Sequence, residues 1–311
     1  MSPRALWLLL ALLSGCAAPA YVAGRRTAPP DVEGVSHTEE RVASTRGVTL
    51  LLQAWRPASG EVRGVVVVVH GLKDYSDRYA ELAHALVAKG LAVHALDLRG
   101  HGDSTGPRVW VDSFDDYLAD LDQLMERVAA EHPGMPLFLF GHSMGGAVAT
   151  LYAIEHHPEL SGLILSGAAL RPEADAVTRG SAKLFGAVLP TLAVFTLDDA
   201  KFSRDPAVVA AMKRDPLIED GAAPARTAAE LIGAIERIRR EAFQLTCPLV
   251  AMHGTADEIT PPEGSRELVE AVASPDKAYE KWDGYAHDLL HEPGKQQIID
   301  FIVNWVDAHL P

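Results

Sequence analysis

Five consecutive valines, Val65–Val69, constrain the fold of this chain more than any other feature of its sequence. β-Branched residues favour the extended backbone of a strand, and an uninterrupted apolar run is typical of a strand that is buried on both faces. Such strands occur in sheets whose two faces are both covered by helices. The run therefore predicts a central strand, over Val62–His70, in a layered α/β domain.

Helical and extended patterns alternate along most of the remaining chain. This alternation predicts a mostly parallel sheet, because parallel neighbours need a crossover between them. Six further strands are predicted, at Val48–Trp55, Leu91–Leu98, Pro136–Phe140, Gly162–Ser166, Pro248–His253 and Ala278–Trp282. Residues 171–240 interrupt the rhythm with helix-like stretches only, which indicates an insertion over the sheet.

The first 15 residues have the pattern of a secretory signal. Arg4 precedes a short apolar run, Ala5–Leu13, which is shorter than the ~20 residues that a membrane-spanning helix needs. The segment Leu13-Ser14-Gly15-Cys16 resembles the bacterial lipobox, in which the cysteine is lipidated and becomes the new N-terminus. A plain signal peptide with an incidental cysteine, or a buried N-terminal helix, is the alternative.

These patterns divide the chain into segments. The predicted divisions are 1–15 as a lipoprotein signal peptide, 16–45 as a tether, 46–170 and 241–311 as the α/β core, and 171–240 as the insertion. The first part of the tether, Ala17–Gly34, is rich in Ala, Pro and Gly, which suits a spacer behind a lipid on Cys16. We therefore expect the protein in the cell envelope, lipid-anchored to a bacterial membrane, with the outer membrane as one candidate.

Charge and cysteine content exclude several classes of function. The chain has 28 basic and 42 acidic residues and a net charge of −14, which disfavours binding to the phosphates of nucleic acids. Only two cysteines occur, Cys16 and Cys247. A disulfide-rich scaffold and a cysteine-based zinc or iron–sulfur site are therefore excluded.

The strongest chemical motif lies between a predicted strand and a predicted helix. Gly141-His142-Ser143-Met144-Gly145 is a G-x-S-x-G sequence that opens the predicted helix Met144–His156. In this context the serine occupies a tight turn at the carboxyl edge of the sheet, with its hydroxyl exposed for attack. We predict that Ser143 is a nucleophile; the alternative is a structural serine in a glycine turn.

A second G-x-S-x-G sequence, Gly102–Gly106, lacks this context. Pro107 follows it, and no helix rich in small residues begins there. We therefore predict that Ser104 is a loop residue whose replacement affects stability more than chemistry.

A serine hydroxyl needs a base to remove its proton, and the base needs an acid to orient it. Asp257 follows the strand Pro248–His253 and is the predicted acid, with its neighbour Glu258 as the alternative. His287, in the loop before the final helix, is the predicted base. The order Ser, acid, His along the chain is the order expected for a G-x-S-x-G elbow.

Three further histidines late in the chain are weaker candidates for the base. His253 ends a strand, His291 lies beside Glu292-Pro293, and His309 is near the C-terminus. His287 and His291 also have the i, i+4 spacing of a zinc-binding helix, but the glutamate of that motif is missing and the proline indicates a loop. We therefore expect no metal.

Attack on a carbonyl also requires two donors for the oxyanion. The amide of Met144, directly after the nucleophile, is one predicted donor. The amide of Leu72, in the loop after the valine strand, is the other, with Gly71 allowing close approach.

Taken together, these motifs resemble the α/β-hydrolase superfamily, and more narrowly its monoacylglycerol lipase and lysophospholipase branch, also grouped with serine aminopeptidase-like hydrolases. The matching segments are His70-Gly71, Asp97–Gly102, Gly141–Gly146, Phe202–Pro206, Asp215–Leu217, Gly254–Asp257 and His287–Pro293. The resemblance implies a mostly parallel eight-stranded sheet flanked by helices, a helical cap at 171–240, no cofactor, and a triad of Ser143, Asp257 and His287.

The sequence therefore predicts a serine hydrolase that cleaves esters of fatty acids, monoacylglycerol or lysophospholipid, through an acyl-enzyme. Its expected partners are the lipid ester and a membrane reached through the N-terminal anchor. An aminopeptidase, an acyltransferase or a non-catalytic lipid-binding module is the alternative. The cap carries acids that could hold a substrate ammonium, Asp198, Asp199, Glu219 and Glu230. Its apolar stretch Leu184–Leu197 predicts an acyl tunnel, a membrane-facing lip or simply the core of the cap.

Overall fold

A computed structural model of the chain describes residues 32–172, 176–219 and 221–311. Its strands are β1 (Val35–Ala43), β2 (Thr49–Pro57), β3 (Gly64–Val69), β4 (Leu91–Leu96), β5 (Leu137–His142), β6 (Gly162–Ser166), β7 (Ala193–Phe195), β8 (Ala223–Pro224), β9 (Leu249–Gly254) and β10 (Lys277–Trp282). Eight of them form one sheet in the order β1-β2-β4-β3-β5-β6-β9-β10. β1 and β2 are antiparallel to their neighbours and the other pairs are parallel, which confirms the predicted α/β-hydrolase fold.

Helices cover both faces of this sheet. The helices of the described residues are α1 (Ala80–Val87), α2 (Phe114–Glu131), α3 (Met144–His156), α4 (Ala176–Val188), α5 (Pro206–Met212), α6 (Ala225–Glu241), α7 (Pro262–Ala271) and α8 (Lys295–Ala308). The side chains of α2 and α3 contribute to the core on one face, and those of α1 and α8 to the core on the other.

The valine run forms β3 and is completely enclosed, as its composition predicted. Val65, Val67 and Val69 belong to the core under α2 and α3. Val66 and Val68 belong to the core under α1 and α8. Because successive side chains of a strand point to opposite faces, this one segment contributes to both hydrophobic cores.

The strand β1 corrects the predicted tether. It lies inside the range 16–45, yet it pairs with β2 along its full length. Most of its side chains are polar and exposed, as is tolerated at the edge of a sheet, so its sequence lacks the apolar alternation that identified the other strands. The sheet therefore begins at residue 35 rather than 46, and the prediction of a tether was wrong for residues 35–43.

The inserted segment is mainly helical, as predicted, and contributes α4, α5 and α6. It also contains the short antiparallel pair β7 and β8, which the sequence did not indicate because each strand has at most three residues. The second half of α6 places Ala234 and Ile238 in the core shared with α3, which fastens the insertion to the sheet domain.

The predicted signal peptide, Cys16 and the start of the tether lie outside the described residues. Within the described residues, no helix combines the length and the apolar character that crossing a bilayer requires.

Candidate active site

Three side chains from three separate strand ends meet at the carboxyl edge of the sheet. Ser143 follows β5, Asp257 follows β9, and His287 lies in the loop after β10. The Nε2 atom of His287 is 2.9 Å from Oγ of Ser143, and its Nδ1 atom is 2.8 Å from Oδ2 of Asp257. The structure thus brings together the three residues predicted from the sequence, and all three are buried.

The backbone at Ser143 has a conformation that few residues other than glycine adopt. Its φ is 53° and its ψ is −121°, at the junction between β5 and α3. The turn is tight because small residues flank it: a Cβ atom on Gly145 would lie 2.3 Å from the carbonyl oxygens of Val69 and His70. Such a constrained backbone is typical of a functional site that the surrounding structure holds in place.

Hydrogen-bond donors contact both oxygens of the Asp257 carboxylate. Its Oδ1 atom accepts the backbone N–H groups of Ile259 and Thr260, at 2.8 and 2.9 Å. Its Oδ2 atom contacts the imidazoles of His287 and His253. Burial alone raises the pKa of this carboxyl, but the charge on His287 and the two imidazole hydrogen bonds outweigh it and lower the pKa well below its usual range. Asp257 is therefore ionised at neutral pH and can balance an imidazolium.

The role of His253 was not predicted from the sequence. Its ring is fully buried at the end of β9, with Nδ1 2.8 Å from Oγ of Ser265 and Nε2 3.0 Å from Oδ2 of Asp257. It therefore positions the acid through the same carboxylate oxygen that contacts His287. The one signal in the sequence was the four-residue spacing between His253 and Asp257.

Glu258 and His291, the weaker candidates for the acid and the base, lie away from this chain of hydrogen bonds. Glu258 is exposed and pairs with Lys201 at 3.1 Å. The Nδ1 atom of His291 is 2.9 Å from Oδ1 of Asp288, and no group of possible metal ligands in the described residues includes His287 or His291.

Ser104, in the second G-x-S-x-G sequence, lies in a buried loop. Its hydroxyl donates to the carbonyl of Asp97 at 2.5 Å and accepts the N–H of Leu51 at 2.8 Å. Both of these contacts are structural, in agreement with its interpretation as a loop residue.

Two backbone amides remain for an oxyanion beside Ser143. Within the described part of the chain, neither the Leu72 nor the Met144 N–H donates to a protein group. The loop that carries Leu72 passes against the serine, since a Cβ atom on Gly71 would lie 2.9 Å from that of Ser143. His70 fixes this loop, because its Nε2 accepts the N–H of Leu98 and its Nδ1 therefore donates to the Gly71 carbonyl, at 2.9 and 2.7 Å.

A buried ion-pair network connects the loop that carries Leu72, which we name the oxyanion loop, to the loop of His287. The guanidinium of Arg78 contacts Asp74 at 3.0 Å and Asp288 at 2.6 Å. Burial raises the pKa of Asp288, but His291 and Arg78 outweigh it and hold the pKa well below its usual range. Two charged loops that both face the nucleophile are thereby held in a fixed relation.

The cap covers the triad from above. The ring of Phe202 meets the imidazole of His287 edge to face, with centroids 5.5 Å apart. The carbonyl of Phe202 accepts the N–H of Asp288 at 2.8 Å. The cap also holds the oxyanion loop through the buried pair of Lys73 and Asp199, 3.0 Å apart. These contacts hold the cap against the loops that carry His287 and Leu72.

His142 makes the stability of this region sensitive to pH. Burial, followed by the charge on the adjacent His287, lowers the pKa of His142 from 6.5 to about 4. The folded state thus keeps this imidazole neutral, while the unfolded state protonates it near pH 6.5. The contribution of His142 to the free energy of unfolding is therefore full above about pH 6.5 and is lost as the pH falls towards 4.

We predict that His142→Gln flattens this dependence. Thermal unfolding of the two proteins between pH 7 and pH 4.5 should show a steeper fall in Tm for the natural chain. Parallel curves would show that His142 contributes nothing to the acid sensitivity.

The comparisons with known proteins agree with this geometry. Residues 60–294 match the family model described as serine aminopeptidase, S33. The monoacylglycerol lipase of Mycolicibacterium smegmatis is 37% identical over 277 residues, which cover 88% of this chain and 99% of that protein. The crystal structure of the Paleococcus ferrophilus monoacylglycerol lipase has a TM-score of 0.74 and 30% identity, over 88% of this chain and 99% of that one.

A further solved structure supports the fold alone. A soluble variant of the monoglyceride lipase from Saccharomyces cerevisiae, in complex with a substrate analog, has a TM-score of 0.79 at 24% identity. The alignment covers 95% of this chain and all of that one. The matched family model, the strand order and the similar relatives lead to one conclusion: this chain belongs to the serine aminopeptidase S33 family of α/β-hydrolases and is a monoacylglycerol lipase-like carboxylic ester hydrolase.

Proposed function

We propose that the protein hydrolyses monoacylglycerols, with Ser143, His287 and Asp257 as its catalytic triad. The observation that carries this proposal is the continuous chain of hydrogen bonds from Ser143 through His287 to Asp257, in a fold whose similar relatives are monoacylglycerol lipases. Lysophospholipids, which also carry a single acyl ester, are the nearest alternative substrates.

The reaction follows from the positions of these groups. The Nε2 atom of His287 takes the proton of Ser143 as its oxygen attacks the ester carbonyl. The Leu72 and Met144 amides stabilise the oxyanion, and each such donor typically contributes about 3 kcal/mol. His287 then protonates the leaving glycerol oxygen, and a water molecule, deprotonated by the same imidazole, releases the fatty acid from Ser143. Asp257 keeps the imidazole in the correct tautomer and balances its charge in both steps.

The cap offers a surface suited to lipid aggregates. Six large apolar side chains lie exposed along the end of α4 and the segment after it, and we name them the cap patch: Leu184, Phe185, Val188, Leu189, Leu192 and Val194. Grouped apolar surface of this kind is characteristic of membrane or partner contact. Such a patch on the cap supports substrates drawn from a bilayer or micelle.

We expect the double variant Leu184→Ser, Val188→Ser to bind phosphatidylcholine vesicles more weakly. These side chains are 62% and 65% exposed, and burying each in lipid is worth about 1.5 to 3 kcal/mol, or roughly tenfold or more in partition. Turnover of vesicle-borne monoolein should fall, while turnover of water-soluble p-nitrophenyl acetate should stay unchanged. Phe243→Ser is the matched control, because Phe243 is 64% exposed but lies outside the cap patch. Equal loss of vesicle binding in the control would remove the case for the patch.

Peptide hydrolysis is less well supported. The cap acids that could hold a substrate ammonium already have partners in the protein. Asp199 pairs with Lys73, Asp198 and Glu219 accept backbone N–H groups, and Glu230 accepts the N–H of Phe114. A comparison of monoolein with an aminoacyl-naphthylamide separates the two activities, and faster hydrolysis of the amide would overturn the proposal.

The substrate class is tested with a graded panel. Monoacylglycerols with acyl chains of 8 to 18 carbons, lysophosphatidylcholine and short p-nitrophenyl esters should be compared by kcat/KM. We expect the long monoacylglycerols to be preferred; a preference for lysophosphatidylcholine would reassign the head group without changing the triad.

We also propose that Cys16 carries a lipid anchor in the cell envelope. A diacylated N-terminus would hold the cap patch near its substrates, and a diacylglyceryl group together with a further chain anchors firmly where one chain does not. The anchored protein should enter the detergent phase of a Triton X-114 extract, and Cys16→Ser should remain in the aqueous phase. A Cys16→Ser protein that stays in the detergent phase would argue against the anchor.

A further inference from the structure

Two histidines meet on the face of the sheet that α2 covers. His94 lies in β4, and its side chain belongs to the face that α2 covers. His132 directly follows α2, which begins near the carboxyl edge of the sheet and returns to the amino edge. The Nε2 atoms of the two rings are 3.1 Å apart, and Glu131 brings its carboxylate so close that the three ligand atoms lie within 4.8 Å of one another.

We propose that His94, His132 and Glu131 form a binding site for Zn²⁺. Imidazole nitrogens and a carboxylate oxygen are the ligands that zinc takes in proteins, and a fourth position is left for water. Two nitrogens at about 2.05 Å from a tetrahedral zinc ion lie about 3.3 Å apart, close to the observed 3.1 Å. In the metal-free chain the same two nitrogens share one hydrogen bond.

The surroundings of the two imidazoles leave the cluster accessible to an ion. The backbone carbonyls at the end of α2 add negative potential, and a surface pocket of about 250 Å³ over His94 and Glu131 gives an ion access.

Arg56 is the group that opposes binding. Its guanidinium forms an ion pair with Glu131, and zinc must displace this cation to recruit the carboxylate. The structure thus predicts opposite effects for neighbouring positions: removing a histidine weakens binding, whereas removing Arg56 strengthens it.

A bound ion would tie the end of α2 to β4. His94 and His132 are 38 residues apart, without a recognisable motif spacing, so the sequence did not indicate this cluster. Since the cluster includes no residue of the triad, its expected effect is on stability rather than on the chemical step.

Thermal unfolding and calorimetric titration of the full chain, without an affinity tag, test this proposal. ZnCl₂ should raise Tm, and EDTA should reverse this rise. MgCl₂ should leave Tm unchanged. In His132→Gln, zinc affinity should fall by more than the ~10- to 100-fold that loss of an outer-shell partner costs. His157→Gln, a histidine at the end of another helix, should match the natural chain, and Arg56→Gln should bind zinc more tightly.

The behaviour of these variants separates this site from adventitious zinc at other residues. A zinc response that is the same in His132→Gln as in the natural chain would overturn the proposal. The absence of any zinc-dependent shift in the natural chain would do so as well.

Discussion

Replacing Ser143 by alanine should lower kcat for p-nitrophenyl butyrate by about 10⁶-fold, the loss found when a serine nucleophile is removed. The alanine variant keeps the oxyanion amides and the imidazole, but it has no oxygen that can form the acyl-enzyme. Titration with a fluorophosphonate probe should label the natural chain once and leave the variant unlabelled. Because the hydroxyl of Ser143 forms a hydrogen bond only with His287 among the described residues, the fold should be preserved.

Ser104→Ala is the matched control for this experiment, since it removes the hydroxyl from the second G-x-S-x-G sequence. It loses two buried hydrogen bonds, so Tm should fall while kcat and probe labelling stay near those of the natural chain. Retained turnover in Ser143→Ala, together with loss of turnover in folded Ser104→Ala, would show that the nucleophile is Ser104 rather than Ser143.

The second large effect is expected at Asp257. In Asp257→Asn the size of the side chain is retained, but the amide cannot balance the imidazolium or hold His287 in the tautomer that accepts the serine proton. A loss of about 10⁴-fold in kcat follows at neutral pH, with a much smaller change in KM. Steady-state kinetics with p-nitrophenyl butyrate at pH 7 measures both quantities.

Glu258→Gln distinguishes this role from a general effect of charge at the loop. Glu258 is exposed and forms a surface ion pair with Lys201, so its replacement should leave kcat close to that of the natural chain. If Glu258→Gln lost activity as severely as Asp257→Asn, the acid of the triad would have to be reassigned.

The sequence predicted those features that a short stretch of residues defines by itself, such as a buried strand or a reactive side chain directly after one. The valine run predicted β3 because burial on both faces removes any polar residue from the strand. The three side chains of the site could be selected because each follows a strand that its own composition reveals. Their meeting at 2.8 and 2.9 Å depends on sheet topology, which only the structure supplies.

The features that were missed depend on partners remote in sequence. The strand β1 has few apolar residues because it lies at the edge of the sheet, so only its pairing with β2 defines it. His253 has the sequence context of a buried core residue, and its contact with Asp257 becomes evident only in the loop geometry. The pair of His94 and His132 likewise arises where a helix returns to the sheet.

The backbone conformation of Ser143 has an evolutionary consequence. A non-glycine residue held at such φ and ψ values costs on the order of 1 to 3 kcal/mol, a substantial part of the margin by which a natural domain stays folded. Ser143→Gly should therefore melt at a higher temperature than Ser143→Ala while being equally inert. Selection for thermostability alone would drive this position towards glycine, and the persistence of serine would record the selection for catalysis that opposes it.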